Sequence, residues 1–444
     1  MSFSFPEAAA LQKICRRVRE AGFDIQIVGG AVRDIALGKV PGDFDLVSTA
    51  RPEELQKLFP EAVFSGISFG VLRIRMDGFE FETASGRQER NYLDGRHPES
   101  VQFTRDFAVD VQRRDFTVNA MLCDPLTGKI TDHVGGMADL KSQLIRTVGD
   151  PRVRFEEDYL RMLRAVRFAV RLGFAFEKST YDAICEKSHL AAELAGERIR
   201  EELSRILTGP FPDRALRLLA DTGLLRAVLP EIADMQGVTQ PPEFHPEGDV
   251  FEHTALMLRH MVFPDFQLAW SVLLHDVGKP CTRSVECSGR IRFFGHEVAG
   301  EVIARKIMER LHFSTADSNA VAGAVRGHMR MASVPDMRQA KLKKLIAAPG
   351  FPLELELHRL DCISCHAKME SFVRLLDELR SLPDVQLPEP WVRGRDLVRM
   401  GITPSPVFSR VLDETFDAQL SGELADAQAA LEFAAALEKQ LRNG

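Results

Sequence analysis

Gly29-Gly30-Ala31-Val32-Arg33-Asp34, followed nine residues on by Asp43-Phe44-Asp45, is the stretch on which the fold turns. Ile25, Ile27 and Val28 lead into it, so it reads as a short apolar strand ending in a Gly-Gly turn. Glycines there let backbone amides approach a phosphate more closely than a Cβ would permit. Asp43 and Asp45 are two apart, which in a strand puts both carboxylates on one face. Carboxylates so placed repel unless a cation sits between them. Mg²⁺ suits hard oxygen ligands and is commonly shared with nucleotide phosphates. The opening 45 residues therefore point to metal-assisted phosphoryl or nucleotidyl transfer.

At 444 residues the chain is too long for one hydrophobic core. Its 45% hydrophobic and 27% charged residues are those of a soluble globular protein. Seven cysteines in no regular framework predict reduced thiols and a cytoplasmic location. Cys362-x-x-Cys365-His366 stands alone in a helical-looking stretch and reads as structural rather than as a metal or redox motif. No apolar run approaches the length of a membrane span, and the opening MSFSFPEAAA lacks the basic start of a signal peptide. A net charge of −7 argues against a wholly basic surface but leaves room for a local RNA-binding groove.

The predicted fold class is α+β: a head with a small mixed sheet, then all-helical parts. Residues 1–20 read as an amphipathic helix, and QIVGG, FDLVST, VLRIRM, FEFET, VQFT and FTVNAMLC read as strands within a head spanning 1–150. From 151 to 240 leucine, arginine and alanine recur at helical spacing. Gln240-Pro241-Pro242-Glu243 marks a linker, 244–370 is helical again, and 371–444 reads as a helical tail.

Further polar clusters lie along the head and its neighbour. Phe79-Glu80-Phe81-Glu82-Thr83 offers two candidates for the third carboxylate that two-metal transfer needs. Residues 85–98 read as a mobile polar loop. Arg113 and Arg114 offer bidentate donors for a triphosphate, and Asp115 an acceptor for a ribose hydroxyl. Asp158 and Arg161, three apart, can lie side by side on a helix. An acceptor beside a donor fits the hydrogen-bonding edges of cytosine and adenine and opposes those of uracil and guanine. Arg161, Arg164, Arg167 and Arg171 form a basic stripe suited to triphosphate and an RNA end.

Together these motifs resemble the polymerase-β nucleotidyltransferase superfamily, in the branch of bacterial tRNA CCA-adding enzymes and poly(A) polymerases. The resemblance implies that Asp43, Asp45 and Glu82 hold Mg²⁺, Glu82 being favoured over Glu80 because Arg87 then takes the arginine place of the family's E-x-T-x-F-R run. Gly86 stands where that run has phenylalanine. Gly29, Gly30, Arg33, Asp34, Arg113, Arg114, Asp115 and Asn119 would hold sugar and triphosphate, and Asp158, Arg161, Arg164 and Arg167 the base and its surroundings. Asp94 and Arg96, in Asp94-Gly95-Arg96-His97-Pro98, resemble the flexible loop that switches C to A addition. Glu197-Arg198-Ile199-x-x-Glu202-Leu203 resembles a bracing motif, and Gly394 through Glu423 a tRNA-contacting tail.

His253, His275-Asp276, His296, His328 and Asp361 follow the order of the HD phosphohydrolase superfamily. His253, His275, Asp276 and Asp361 would close one metal site, with His296 and His328 placed for a second metal or a phosphate. Mixed N/O ligation suits a divalent transition metal or Mg²⁺. The expected activity is CCA addition to a tRNA 3′ end from CTP and ATP, with an HD phosphohydrolase beside it. The alternatives are a poly(A) polymerase, a CC-only or A-only enzyme, and an HD phosphohydrolase with an RNA-binding head.

Overall fold

The computed structural model describes residues 5–66, 71–92, 98–241, 243, 248–365, 369–381, 387–403 and 405–443. The chain divides into two compact units, 1–233 with 310–312, and 234–309 with 313–444. Among the described residues no helix is long and apolar enough to cross a membrane.

In the first unit, β1 (Ile25–Val28), β2 (Asp45–Ser48), β3 (Val63–Gly66), β4 (Val71–Met76), β5 (Phe79–Ser85), β8 (Leu122–Cys123) and β9 (Ile130–Thr131) form a sheet in the order β3-β4-β5-β2-β1-β8-β9. β2 and β5 are parallel; the other described pairings in this sheet are antiparallel. β6 (Arg87–Tyr92) and β7 (Pro98–Phe103) pair separately. Most of the segment expected to be a loop is therefore strand: alternation from Arg87 to Tyr92 against Phe103 to Pro98 satisfies its backbone. Asp94 and Arg96 lie outside the described residues. FTVNAMLC is only partly strand, since Thr117–Asn119 turns as a 3₁₀ helix before β8.

Helix α1 (Ala8–Glu20) buries Leu11, Ile14, Cys15 and Val18, a stripe at helical spacing that packs on β1 and β4. α2 (Gly30–Ala36) follows β1 directly, and α3 (Pro52–Leu58) packs on β4. α4 (Phe107–Val111) is N-capped by the Asp106 side chain, which accepts from the Ala108 N–H. α5 (Gly136–Ser142) sits against the Thr117–Asn119 turn. α6 (Pro151–Glu157) has Asp150 as cap and proline at its first position, and α7 (Leu160–Leu172) ends on left-handed Gly173. α9 (Gly196–Leu207) and Pro212–Asp221 pack on α7, and α8 (Lys178–Lys187) packs on α6.

The second unit is helical apart from a small hairpin, Arg283–Val285 with Ile291–Phe293. Its centre is Val250–His260, Phe266–Leu274, Thr315–Gly327 and Phe351–Ser364, with Trp270 fully buried among them. The helices Gly394–Arg399, Pro406–Leu420 and Ala427–Asn443 share a core of their own around Leu397, Val411, Ala430 and Ala434.

Gly136 shows how tightly the head is closed around its 3₁₀ turn: a Cβ there would come 2.3 Å from the Thr117 carbonyl oxygen. Gly136→Ala is expected to destabilise this unit by about 1–3 kcal/mol. Denaturant melts followed through the head would show it, and an unshifted midpoint would contradict the packing described.

Candidate functional site

The Gly-Gly turn and the paired acids meet because of sheet register. Val28, at the end of β1, faces Asp45 on β2, so Gly29 emerges beside that carboxylate. Gly29 has φ 77°, a conformation open to glycine, and a Cβ on it would lie 3.3 Å from Asp45 Oδ2. Phe44 is buried with its ring 4.8 Å from Phe5, while Asp43 and Asp45 on either side of it are exposed. Across the parallel β2–β5 pairing Asp45 faces Glu82. Glu80 pairs with Arg75 at 2.5 Å and Glu82 with Arg73 at 3.4 Å, so register and not pairing separates them. The neighbour of Asp45 is thus Glu82. Partial enclosure, then the charges of Asp43 and Glu82, push the Asp45 carboxyl up to about 6. Three acids that resist joint ionisation, with oxygens accessible to solvent, are a donor set that fits a hard divalent cation.

Asp43 and Asp45 line a cavity of about 510 Å³ whose walls also include Arg33, Arg113, Arg114, Asp158, Arg161 and Arg198. Gly29, Gly30, Asp34, Asp115, Asn119, Arg164 and Arg167 line it too. Each arginine is held by an acid or carbonyl behind it. Arg33, almost fully buried, donates to Asp34 Oδ1 (2.9 Å) and Asn119 Oδ1 (2.7 Å). Arg113 and Arg114 both reach Asp110 at 2.9 Å. Arg164 donates to Asp115 Oδ2 at 2.6 Å, and Arg167 to buried Glu202 at 2.5 Å. Asp115 also accepts from the Phe116 N–H at 2.8 Å. Burial opposes its ionisation, but Arg164 holds the carboxyl below the usual carboxylate range. Arg171 is exposed at the cavity edge.

Asp158 and Arg161 line the same wall, but not as a helical pair. Asp158 is the extended residue (φ −151°, ψ 104°) between α6 and α7. Its two oxygens accept from Arg198 at 3.0 and 3.1 Å. Arg161 turns to Glu157 (2.6 Å) and to the carbonyls of Arg154 and Arg113, which leaves its guanidinium with N–H groups to spare. The break between helices redirects Asp158 by ending the 3.6-residue repeat there. Asp110 is a member that sequence reasoning did not single out for this site, and Arg198 was read only as part of a bracing motif. The signal for Asp110 was its spacing of three and four from Arg113 and Arg114.

In the second unit the six predicted ligands converge. The ligand atoms of His253, His275 and Asp276 lie within 4.8 Å of one another, as do those of Asp276, His296 and His328, and of His253, Asp361 and Cys365. His275, His296 and His328 share one device: Nδ1 sits 2.8, 2.8 and 2.6 Å from the carbonyl three residues back. A neutral ring donating there presents its Nε2 lone pair to the cluster. The Nε2 atoms of His296 and His328 face each other at 3.1 Å. Burial, then His275, push His328 down to about 4, so at neutral pH no proton of its own bridges them. Two facing lone pairs call for a cation or an acidic ligand atom between. Asp276 is opposed by burial yet held well below the usual range by His275 and Lys279, the latter 2.7 Å away. The set fits a divalent transition metal. Cys365 lies beside Asp361 (3.4 Å), which gives the CxxC run a place at the cluster edge.

Comparisons with known proteins agree with this architecture. Residues 25–146 match the family model of the Poly A polymerase head domain, 173–236 that of the probable RNA and SrmB- binding site of polymerase A, and 250–356 that of the HD domain. A CCA-adding enzyme of Geobacillus kaustophilus (strain HTA426) is 43% identical over 220 residues, 50% of this chain and 54% of that relative. The chain thus spans about half the length of such relatives in the first curated matches. A CCA-adding enzyme of Bacillus licheniformis is 31% identical over 426 residues, 94% of this chain and 95% of the relative. The crystal structure of the Bacillus stearothermophilus CCA-adding enzyme in complex with CTP superimposes with a TM-score of 0.72 at 27% identity, covering 99% of this chain and 98% of that one. The fold and the head site define a nucleotidyltransferase of the Poly A polymerase type carrying an HD domain. Within that class the chain belongs to the family of CCA-adding enzymes.

Asp110 supplies a test of the arginine arrangement. Burial raises its pKa, but Arg114, Arg113 and the Arg87 N–H outweigh that and hold it low. A depressed carboxylate contributes stability that is present above its unfolded value of about 4 and is lost as pH falls through the folded value. Asp110→Asn is expected to cost the head about 1–3 kcal/mol at pH 7 and to flatten its loss of stability below about pH 4. Parallel pH profiles for the two proteins would remove Asp110 from this role.

Proposed function

We propose that this chain completes tRNA by adding 3′-terminal CCA from CTP and ATP, one nucleotide at a time, with release of pyrophosphate. The observation that carries the reading is Asp45 beside Glu82 and Gly29, facing an arginine-walled cavity of nucleotide size. The solved relative that aligns with nearly the whole chain was crystallised with CTP. Asp43, Asp45 and Glu82 would hold two Mg²⁺ ions, which when bound lower the pKa of the attacking hydroxyl and neutralise the leaving pyrophosphate.

The rest is done by this chain's own groups. Arg113 and Arg114, splayed from one buried carboxylate, present N–H groups to triphosphate oxygens. Asp115 accepts from the sugar hydroxyls, and Gly29 and Gly30 let the backbone come close. Asp158 offers acceptors, and Arg161 and Arg198 offer donors, to the base edge. CTP and ATP match that edge; UTP and GTP leave buried polar groups unpaired and are rejected. In this reading 1–150 is the catalytic head, 151–240 the neck that selects the base and binds RNA, 244–370 the HD domain and 371–444 a tail for tRNA. Asp94 and Arg96 are assigned to the loop that switches from C to A.

The convergence of His275, His296 and His328 favours a second activity: the HD cluster would hold a divalent metal, which supplies a bound water of lowered pKa, and hydrolyse a phosphate ester. His275→Ala is expected to abolish that hydrolysis and leave nucleotide addition within about twofold.

The deciding experiment incubates the protein and Mg²⁺ with a tRNA lacking CCA, and with CTP, ATP or both. Two nucleotides from CTP alone and three from both are expected. Two in both lanes would mean a CC-adding enzyme, and a long ladder from ATP a poly(A) polymerase. Asp43→Ala should abolish addition with folding intact; retained activity would overturn the site. Arg198→Met, which frees Asp158, should raise the KM for CTP and narrow the preference over UTP about tenfold or more. An unchanged CTP/UTP ratio would remove the Asp158–Arg198 pair from base selection.

A further inference from the structure

The helix Phe351–Ser364 brings more metal-binding chemistry to the HD cluster than Asp361 alone. His358, Asp361, Cys362 and Cys365 all line a cavity of about 490 Å³ together with His275, Asp276, His296 and His328. Cys365 ends the helix (φ −97°, ψ 94°), yet its N–H still donates to the Asp361 carbonyl at 2.9 Å. That last helical bond keeps residues 361 and 365 on one face. It leaves Cys365 Sγ 3.4 Å from Asp361 Oδ1 and 3.9 Å from His253 Nδ1. Asp361 Oδ1 in turn lies 3.2 Å from His253 Nε2, and the ligand atoms of His253, Asp361 and Cys365 all lie within 4.8 Å of one another. His253 links this group to His275 and Asp276, and Asp276 links those to His296 and His328. The chain of donors therefore has an imidazole end and a sulfur end.

A cysteine that serves as a small apolar filler packs as Cys15 and Cys123 do, fully buried in the core of the head. Cys365 is only half-buried and faces a carboxylate and an imidazole. Sulfur is a soft donor. Thiolates select metals such as zinc, whereas carboxylates and water suit Mg²⁺ and Mn²⁺. We propose that Cys365 is a further metal ligand of the HD cluster, beside His253, His275, Asp276 and Asp361, and that it biases the site toward Zn²⁺ or Co²⁺ and away from Mg²⁺ and Mn²⁺. This rests on the reading that the cluster holds a divalent metal. On binding, the thiol proton passes to water and sulfur donates as thiolate; no electron is transferred. The Cys362-x-x-Cys365 run is then divided in role. Cys362 Sγ lies 3.5 Å from His358 Nε2, and among the described residues it joins none of the ligand groups.

The test titrates Co²⁺ into the full-length protein after dialysis against a chelator, with Mg²⁺ in excess to fill the head. It follows the Co²⁺ bound and the near-ultraviolet charge-transfer band of a sulfur–cobalt bond in wild type, Cys365→Ser, Cys362→Ser and His275→Ala. Wild type and Cys362→Ser are expected to show the band, and Cys365→Ser and His275→Ala to lose it. A cysteine that merely packs beside the cluster gives no such band. Cys365→Ser should also weaken Zn²⁺ binding about tenfold or more and Mn²⁺ binding less than about threefold. X-ray absorption at the zinc edge of wild type, which needs no variant, should find sulfur bound to the metal. Co²⁺ bound by wild type without the band, or a band that survives Cys365→Ser, would overturn the ligand and leave the metal reading standing. Wild type binding no more Co²⁺ than His275→Ala would overturn both.

Discussion

Everything in the head depends on keeping arginines away from the acids they face. Asp43 and Asp45 line the cavity, Glu82 faces Asp45 across the sheet, and Asp45 already resists ionisation. Guanidinium groups line it as well. Opposite charges about 4 Å apart attract by about 4 kcal/mol near a protein surface, so unrestrained arginines would fold across and neutralise the acids. The structure meets this with carboxylates bound to the arginines: Asp110 to Arg113 and Arg114, Glu157 to Arg161 and Glu202 to Arg167, which do not line the cavity, and Asp115, which does, to Arg164. Each guanidinium is thus restrained and retains capacity. The acids are more buried than the arginines they hold in the case of Asp110, Asp115 and Glu202, which protects these pairs from solvent screening.

The HD cluster solves a similar problem with neutral groups. The Nδ1 atoms of His275, His296 and His328 are held by carbonyls of the preceding helical turn or strand end, while acids meet the Nε2 side of the cluster, Asp276 3.1 Å from His275 and Asp361 3.2 Å from His253. The hydrogen bond to a carbonyl sets the tautomer without adding charge. The two sites thus follow the chemistry each needs: a hard, oxygen-rich site balanced by fixed cations, and an imidazole-rich one whose lone pairs are aimed before any ligand arrives.

Much of this was legible in the sequence, and the failures share a cause. Gly29-Gly30 and Asp43-x-Asp45 could be read because their meaning lies in two or three neighbouring residues and the alternation of a strand. The convergence of the His and Asp residues of the HD cluster could be read because their order survives large separations. Strand alternation cannot separate Glu82 from Glu80, since both sit on the same face of β5; the resemblance favoured Glu82, and the pairing of β5 with β2 puts that residue opposite Asp45. Asp158 and Arg161 have helical spacing, but the helix is interrupted between them, and the partner of Asp158 is forty residues away. Arg87–Tyr92 is too polar to look like a strand, and its pairing with β7 is what makes it one. In each case the missing information was tertiary.

The pairing of Asp45 with Glu82 has a consequence for residues that carry no chemistry. A slip of β5 by one position would turn Glu82 into the core. A slip by two would put Glu80, chemically equivalent, opposite Asp45. What opposes the second slip is Thr83, 0% exposed and paired with Leu46: the slip would bring the larger ring of Phe81 to its place. The choice of carboxylate opposite Asp45 is therefore guarded by the fit of one small buried threonine, which works as the notch of a vernier: it chooses which of two identical carboxylates is brought to the line.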